Sequence, residues 1–373
     1  MKRLKKTISL LLVTAMLLAF AACGAKTPAA STEAPAPSAP AAETEPETHT
    51  VTVNGLTYDE EAFKAEPAAN RKITVSYGGG SLCTSPAAVA YYLGFYEDEG
   101  LDVEIISVES EKEAVASGKL DAVSGFLSSW LPAVANGVGI TFTTGVHTGC
   151  ASVLVLSDSE LNSYADKVGG TIAISGGFGG GPHNYGMRSV LHEGFAVDDF
   201  NWIAFDASLG LDVLKKGEAD FLLVPDQMGR KWIDSGEVRR IHSNTYDEPF
   251  AEEPCCVFGL STEFIEENPI TAEKMTRAVY RTCRYINQSD EHKAEVVQIL
   301  ADHFNFNINP DYAISLMNEW EFGVSNEACL MCLNNSVGEY VEAGILAADI
   351  DQEALKQSVW QVYDLSDITA EYL

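Results

Sequence analysis

The chain has 373 residues and a formal net charge of −30, with 24 basic against 54 acidic side chains and 46% hydrophobic residues. A balance so acidic excludes nucleic acid as a partner, since phosphate recognition needs basic patches. It reads as a solvated surface that favours solubility rather than any particular chemistry.

Residues 1–6 carry four positive charges, residues 7–20 are almost unbroken apolar sequence, and Ala21-Ala22 precede Cys23. An apolar run of about 14 residues is short for a membrane span, which needs ~20. The order of cationic, apolar and small residues followed by cysteine predicts a lipoprotein signal peptide over residues 1–22, with lipid on Cys23. The mature protein is then held at the extracytoplasmic face of a cell membrane. Removing the four leader cations leaves 20 basic residues against 54 acidic ones. Residues 24–49 are rich in Ala, Pro, Thr, Ser and Glu and carry no large apolar side chain, so they cannot bury a core. A tether over residues 23–70 is expected, with a hint of a short strand at Val51, Val53 and Leu56 around Asn54-Gly55.

The body follows, at about 300 residues enough for two lobes with separate cores. Residues 73–77 alternate as a half-buried strand, residues 78–84 form a glycine loop, and Ser85-Pro86 reads as an N-cap and first helical position. A helix over residues 87–99 stops at Gly100 and a strand follows over residues 101–106. A polar loop aimed at a helix start is a place where small polar ligands bind. Further elements follow in order. A helix over 112–117 precedes a strand over 120–123, and Ser128 or Ser129 caps a helix with Pro132 in its first turn. Strands are expected at 140–145, 151–156, 171–174, 201–205, 219–224 and 238–242. Helices lie between them, at 182–194, 209–216 and 226–234. This alternation predicts α/β architecture with mainly parallel sheets. From about residue 261 the pattern becomes helical, at 273–288, 291–304, 310–319, 337–346 and 352–363.

Three loops carry the candidate binding residues. Gly176-Gly-Phe-Gly-Gly-Gly-Pro-His183 follows a strand and opens a helix, so its amides can face acidic or carbonyl oxygens. It is not a P-loop, because no Gly-Lys-Ser/Thr follows. From it we expect Gly177, Phe178, Gly179, Gly180 and His183 at the ligand. The first-lobe equivalents supply Gly79, Ser81, Cys83 and Ser85, and Phe126, Ser128 and Trp130, with an aromatic wall for a planar ligand. Core packing is the competing reading for Phe126 and Trp130. The loops contain no Lys or Arg, only His147 and His183 as potential cations, with Asp206 and Asp226 nearby. A dianion normally attracts arginine. The expected ligand is therefore a monoanion, a zwitterion or a nitrogen heterocycle. Asp226 serves either a ligand amine or as a helix N-cap.

Several segments resemble the nitrate/sulfonate/taurine family of ABC-transporter solute-binding proteins, which shares its fold with the thiamine-pyrimidine synthase-like domain. They are Tyr92-Leu-Gly-Phe-Tyr-Glu-Asp-Glu-Gly-Leu-Asp-Val-Glu-Ile105, Ala116-Ser-Gly-Lys-Leu-Asp-Ala-Val-Ser124 and Lys215-Lys-Gly-Glu-Ala-Asp220. The resemblance implies a periplasmic-binding-protein type II fold: two α/β lobes closing on a ligand like a hinge, with a helical C-terminal region. Lobe 1 is placed at 71–155 and 255–373 and lobe 2 at 156–254, with crossovers near 148–156 and 255–261. It implies a non-enzymatic receptor without cofactor. The receptor would take a small organic or oxyanion-type solute, sulfonate-, taurine-, nitrate- or pyrimidine-like, and hand it to a transmembrane permease and its ATPase. A pyrimidine-synthase-like enzyme and a surface sensor or metal-binding protein are the alternatives. The leader and the incomplete cysteine motif at Pro254-Cys-Cys-Val-Phe-Gly259 argue against the enzyme.

Seven cysteines remain beyond Cys23, with Cys329 and Cys332 the expected pair. His147, Cys150, Cys255 and Cys256 fall at the expected crossovers and so come together. The reading chosen for them is buried apolar thiols, with no metal assigned, although such a set is able to hold a soft ion.

Overall fold

The computed structural model describes residues 49–369. The expected leader and the lipid site at Cys23 lie outside the described residues. Among these, no helix is long and apolar enough to cross a membrane.

The described chain opens as a hairpin of β1 (Thr50–Val53) and β2 (Leu56–Asp59). Its two-residue turn needs positive φ at both positions, which Asn54 (48°) and Gly55 (82°) supply. The hairpin and the helix after it are docked rather than free. Arg277 donates to the Asn54 carbonyl at 2.6 Å. The Glu66 carboxylate, buried, accepts from the Ile270 and Thr271 amides at 2.7 and 2.8 Å, at the start of the helix Pro269–Gln288. The tether expected through residue 70 therefore gives way to folded chain from residue 50 onward, because those residues find partners on the body.

Two mixed sheets make the body. The six-stranded sheet has the order β13-β6-β12-β5-β3-β4 and the five-stranded sheet β11-β7-β10-β8-β9. The first lobe contributes β3 (Ile73–Ser76), β4 (Val103–Ile106), β5 (Ala122–Phe126) and β6 (Ile140–Thr148). The second holds β7 (Ala151–Leu156), β8 (Thr171–Ser175), β9 (Asn201–Phe205), β10 (Phe221–Pro225) and β11 (Val238–Ser243). The chain then returns as β12 (Pro254–Ser261) and β13 (Phe322–Val324). Among the named strands of the described residues, the parallel pairs are β3–β4, β3–β5, β8–β9 and β8–β10. The expectation of mainly parallel sheets fails at the crossings. There β7 and β12 enter from the other lobe without an intervening crossover helix, so they pair antiparallel. Alternation along the strands sends Phe258 and Leu260 to one core and Val257 to another, and in β10 separates Phe221 and Leu223 from Leu222 and Val224. Burying each such side chain contributes about 1.5–3 kcal/mol.

Local differences have local causes. The expected helix over 87–99 is two helices, Pro86–Tyr92 and Phe95–Asp98, because Gly94 takes φ +78° between them. Ser85 does not cap; its hydroxyl donates to the Leu82 carbonyl instead, at 2.8 Å. Neither Ser128 nor Ser129 caps the helix Leu127–Ala135, whose N-cap position is Phe126, and Pro132 lies inside it rather than in its first turn. The helix expected at 337–346 begins at Asn326, capped by Ser325, and so contains both Cys329 and Cys332. Those two thiols are free and buried in the core rather than paired.

Candidate functional site

The lobes meet at a cavity of about 350 Å³. On the first-lobe side it is lined by Gly80, Ser81 and Cys83 from the loop after β3, by Phe126 at the end of β5, and by Trp320 just before β13. The second lobe lines it with Pro225, Gln227, Met228 and Lys231, at the end of β10 and along the helix Asp226–Asp234. Cys150, in the short passage from β6 to β7, completes the wall. The carboxyl ends of β3, β5 and β10 all face this crevice, where open α/β folds place their ligands.

Gln227 closes the cavity. Its side-chain oxygen accepts from the Leu82 amide at 3.0 Å and its nitrogen donates to the Gly80 carbonyl at 2.9 Å, tying the second lobe to the first glycine loop. Nearby, Tyr312 donates to the Gln227 carbonyl at 2.9 Å and Arg230 pairs with Glu319. On the opposite side of the lobe junction, Ser128 donates to the Gly181 carbonyl at 3.2 Å and Asn184 donates back to the Ser128 carbonyl at 2.7 Å. Gly181 permits that approach: a Cβ there would stand 2.5 Å from the Phe126 ring.

Beneath the cavity sits a thiol–imidazole cluster. One ligand atom each from Cys83, His147, Cys150 and Cys256 lies within 4.8 Å of the others, and all four residues are buried. Strand register explains half of it, since His147 and Cys256 are cross-strand partners on β6 and β12. The Cys255 Sγ lies 3.0 Å from that of Cys150. Hydrogen bonds from Cys150 and Cys256, with His147 beside it, hold the Cys83 thiol well below the usual thiol range. Burial pushes the Cys150 and Cys256 thiols well up. At His147 burial opposes protonation, but the neighbouring Cys83 and Cys255 thiols outweigh it and raise its value. Its ring stacks on Trp320 with centroids 5.0 Å apart.

Of the sequence candidates, Ser81, Cys83 and Phe126 line the cavity, and His147 lies in the cluster below it. Gly79 packs beside the Phe304 backbone and Ser85 is buried behind the loop. Trp130 is not a wall of the cavity. It fills the space left by the missing side chain of Gly125 and belongs to a first-lobe core. Gly177, Phe178, Gly179, Gly180 and His183 do not line the cavity either. The His183 ring accepts from the Gly179 amide at 3.1 Å, so the loop folds back on its own helix, Gly181–His192, while Phe178 is exposed. Burial lowers the His183 value. Asp206 is exposed and accepts from the Ser208 amide and hydroxyl. Asp226 is 1% exposed and holds the crossover together: it accepts from Ser152 at 2.5 Å and Thr245 at 2.8 Å, and its amide donates to the Cys150 carbonyl at 2.7 Å. The lining residues missed as candidates were Gly80, Cys150, Pro225, Gln227, Met228, Lys231 and Trp320. The amphipathic pattern of a helix marks a buried face, but it does not show that its first two turns abut the other lobe's loop.

The NMT1-like family matches residues 66–301. No protein with a curated description matches the sequence. Among solved structures, the periplasmic aliphatic sulphonate binding protein of Escherichia coli is 16% identical with a TM-score of 0.63, covering 78% of this chain and 92% of that one. The periplasmic nitrate-binding protein of Synechocystis PCC 6803 is 17% identical with a TM-score of 0.56, covering 81% and 87%. The same fold occurs in a desulfurization enzyme, 14% identical with a TM-score of 0.54, covering 77% and 98%. With two lobes, crossing strands and a helical C-terminal region, the fold is that of the periplasmic binding proteins. By a match that spans well over half its length, the chain belongs to the NMT1-like family.

Proposed function

We propose that this protein is the extracytoplasmic solute-binding lipoprotein of an ABC importer, capturing a small solute between its lobes and presenting the closed form to the permease. The cavity of about 350 Å³ that Gln227 closes from one lobe onto the other carries this reading. Closure around a ligand is the two-state element such a receptor needs. The sulphonate- and nitrate-binding neighbours support transport over catalysis, and the leader with Cys23 supports lipid anchoring.

The lining narrows the solute. Phe126, Pro225, Met228 and Trp320 offer an apolar, partly aromatic surface, while Ser81 and Gln227 are polar and Lys231 is the single cation. The Trp320 indole N–H is buried and has no acceptor among the described residues. One cation and unmatched donors fit a compact solute with a flat or aliphatic body and one anionic or acceptor end, such as a monosulfonate or a pyrimidine. A dianion would want a second cation.

A thermal-shift panel of taurine, alkanesulfonates, nitrate and aminopyrimidines tests this. A true solute at 100 times its dissociation constant stabilises the fold by about 2.7 kcal/mol. For an anionic solute the Lys231→Met variant is expected to lose most of that shift while keeping the wild-type melting point without solute. A flat response to every member of the panel contradicts the proposal.

A further inference from the structure

We propose that Cys83, His147, Cys150 and Cys256 form a four-coordinate site for a thiophilic d¹⁰ cation, zinc or copper(I), beneath the interlobe cavity. The ligands come from separate elements: the loop after β3, the end of β6, the passage into β7, and β12. A single buried cysteine is an ordinary small apolar residue. Three sulfurs and an imidazole nitrogen converging within 4.8 Å are the donor set of a soft or borderline metal, and no carboxylate among them would suit magnesium or calcium.

Two independent features point at a ligand. The His147 Nδ1 faces the Thr148 carbonyl at 2.8 Å, and a carbonyl only accepts, so in the neutral ring the proton sits on Nδ1. Its Nε2 is then a bare lone pair. That nitrogen is buried and without a partner among the described residues, in a residue that is fully buried. A backbone carbonyl that fixes the tautomer of a metal-binding histidine is the usual outer-sphere arrangement. The second feature is Cys150, a non-glycine residue held at φ +127°. Such a conformation is unfavourable for a residue with a side chain and persists where the surroundings enforce it. Here the Thr245 hydroxyl, which donates to Asp226, accepts from the Cys150 amide at 3.2 Å, and the Asp226 amide holds the Cys150 carbonyl. The strain delivers the Cys150 sulfur to the cluster.

The dimensions suit a small ion. With Zn–S bonds of about 2.3 Å and Zn–N of about 2.0 Å, tetrahedral ligand atoms stand roughly 3.3–3.8 Å apart. The cluster's largest separation, 4.8 Å, needs a contraction of about 1 Å on binding. Cys83 and Cys150 line the cavity and provide the entry path. Binding releases the thiol protons, so uptake weakens in acid. Cys255, 3.0 Å from Cys150 and receiving an Asn244 N–H at 3.4 Å, stands outside the four.

The test uses the reduced protein, purified without oxygen and without any solute, so it does not depend on the transport reading. Zinc is titrated against a chromophoric chelator and copper(I) against bicinchoninate. One equivalent of one of these ions is expected, and the preferred ion identifies the site. Cobalt(II) in the zinc-free protein should show thiolate charge-transfer and tetrahedral visible bands. Cys83→Ser and His147→Gln should each weaken binding by at least about 100-fold, beyond the 10–100-fold typical of outer-sphere changes. Cys332→Ser, in a core away from the cluster, should bind as wild type. If a variant does not fold, alkylation of the wild type mapped by mass spectrometry decides instead: metal should protect Cys83, Cys150 and Cys256 selectively over Cys332. No uptake of either ion, an octahedral cobalt spectrum, or equal protection of Cys332 overturns the proposal. So does a Cys150–Cys255 disulfide as the only change in the cluster.

Discussion

Arg188→Ala is expected to lower the unfolding free energy by about 3–5 kcal/mol, the cost of removing one partner from a buried ion pair. Arg188 is 5% exposed on the helix Gly181–His192 of the second lobe. Its guanidinium donates to both Glu253 oxygens at 2.7 and 3.1 Å and to Glu339 at 2.5 Å, and lies over the Phe250 ring at 4.9 Å. Glu253 precedes β12 on the returning crossover, and Glu339 sits on the C-terminal helix Asn326–Glu342. One side chain therefore joins the second lobe, the hinge and the helical region. Truncation leaves Glu253, itself buried, without its cation. Chemical denaturation of the two proteins reads the effect. A loss below 1 kcal/mol would mean that the network is not the junction described here.

The second large effect is at Asp226, where alanine is expected to cost on the order of 3 kcal/mol by leaving the Ser152 and Thr245 hydroxyls without their acceptor and removing one of the two carboxylates beside Arg240. The same residue sets a pH dependence. Burial, the largest influence, raises the Asp226 value despite the hydrogen bonds from Ser152 and Thr245 and the charge of Arg240. A carboxyl whose value is raised by folding binds its proton more tightly in the native state. Its contribution is greatest in acid and is lost as pH rises from the unfolded value near 3.9 through the folded one. Asp226→Asn cannot titrate. The stability of wild type relative to Asp226→Asn is thus expected to fall as pH rises through that window and to level off above it. A difference that is constant with pH, or that grows as pH rises, would contradict the assignment.

The strand–helix alternation was legible because each element is short, amphipathic and bounded by glycine. Residues 151–156, 201–205 and 226–234 emerge with the expected bounds. Strand direction was less legible, because nothing local marks a strand that arrives from another lobe. The β13 strand, three residues long, carries no periodic signal at all. At the site, the first glycine loop and Phe126 were readable from the strand–loop–helix pattern. The second glycine loop misled: flexible backbone before a helix fits a ligand cradle and a self-capping turn equally well, and His183 decides for the turn. Trp130 and Trp320 are equally aromatic in sequence. Only tertiary packing against Gly125 sends the first to the core, while stacking on His147 sends the second to the cavity. Cys83 could not be joined to the crossover cysteines from sequence, because a loop's reach is set by the fold.

The central claim, that the solute sits between the lobes against Trp320, is tested most directly by calorimetric titration. The solute giving the largest thermal shift is titrated into wild type and into Trp320→Ala. One site per chain is predicted, with affinity falling more than about tenfold in the variant. Loss of an aromatic contact is worth ~0.5–1.5 kcal/mol beyond the apolar area it buries, and about 1.4 kcal/mol is tenfold. Equal affinity in the two proteins would contradict the account.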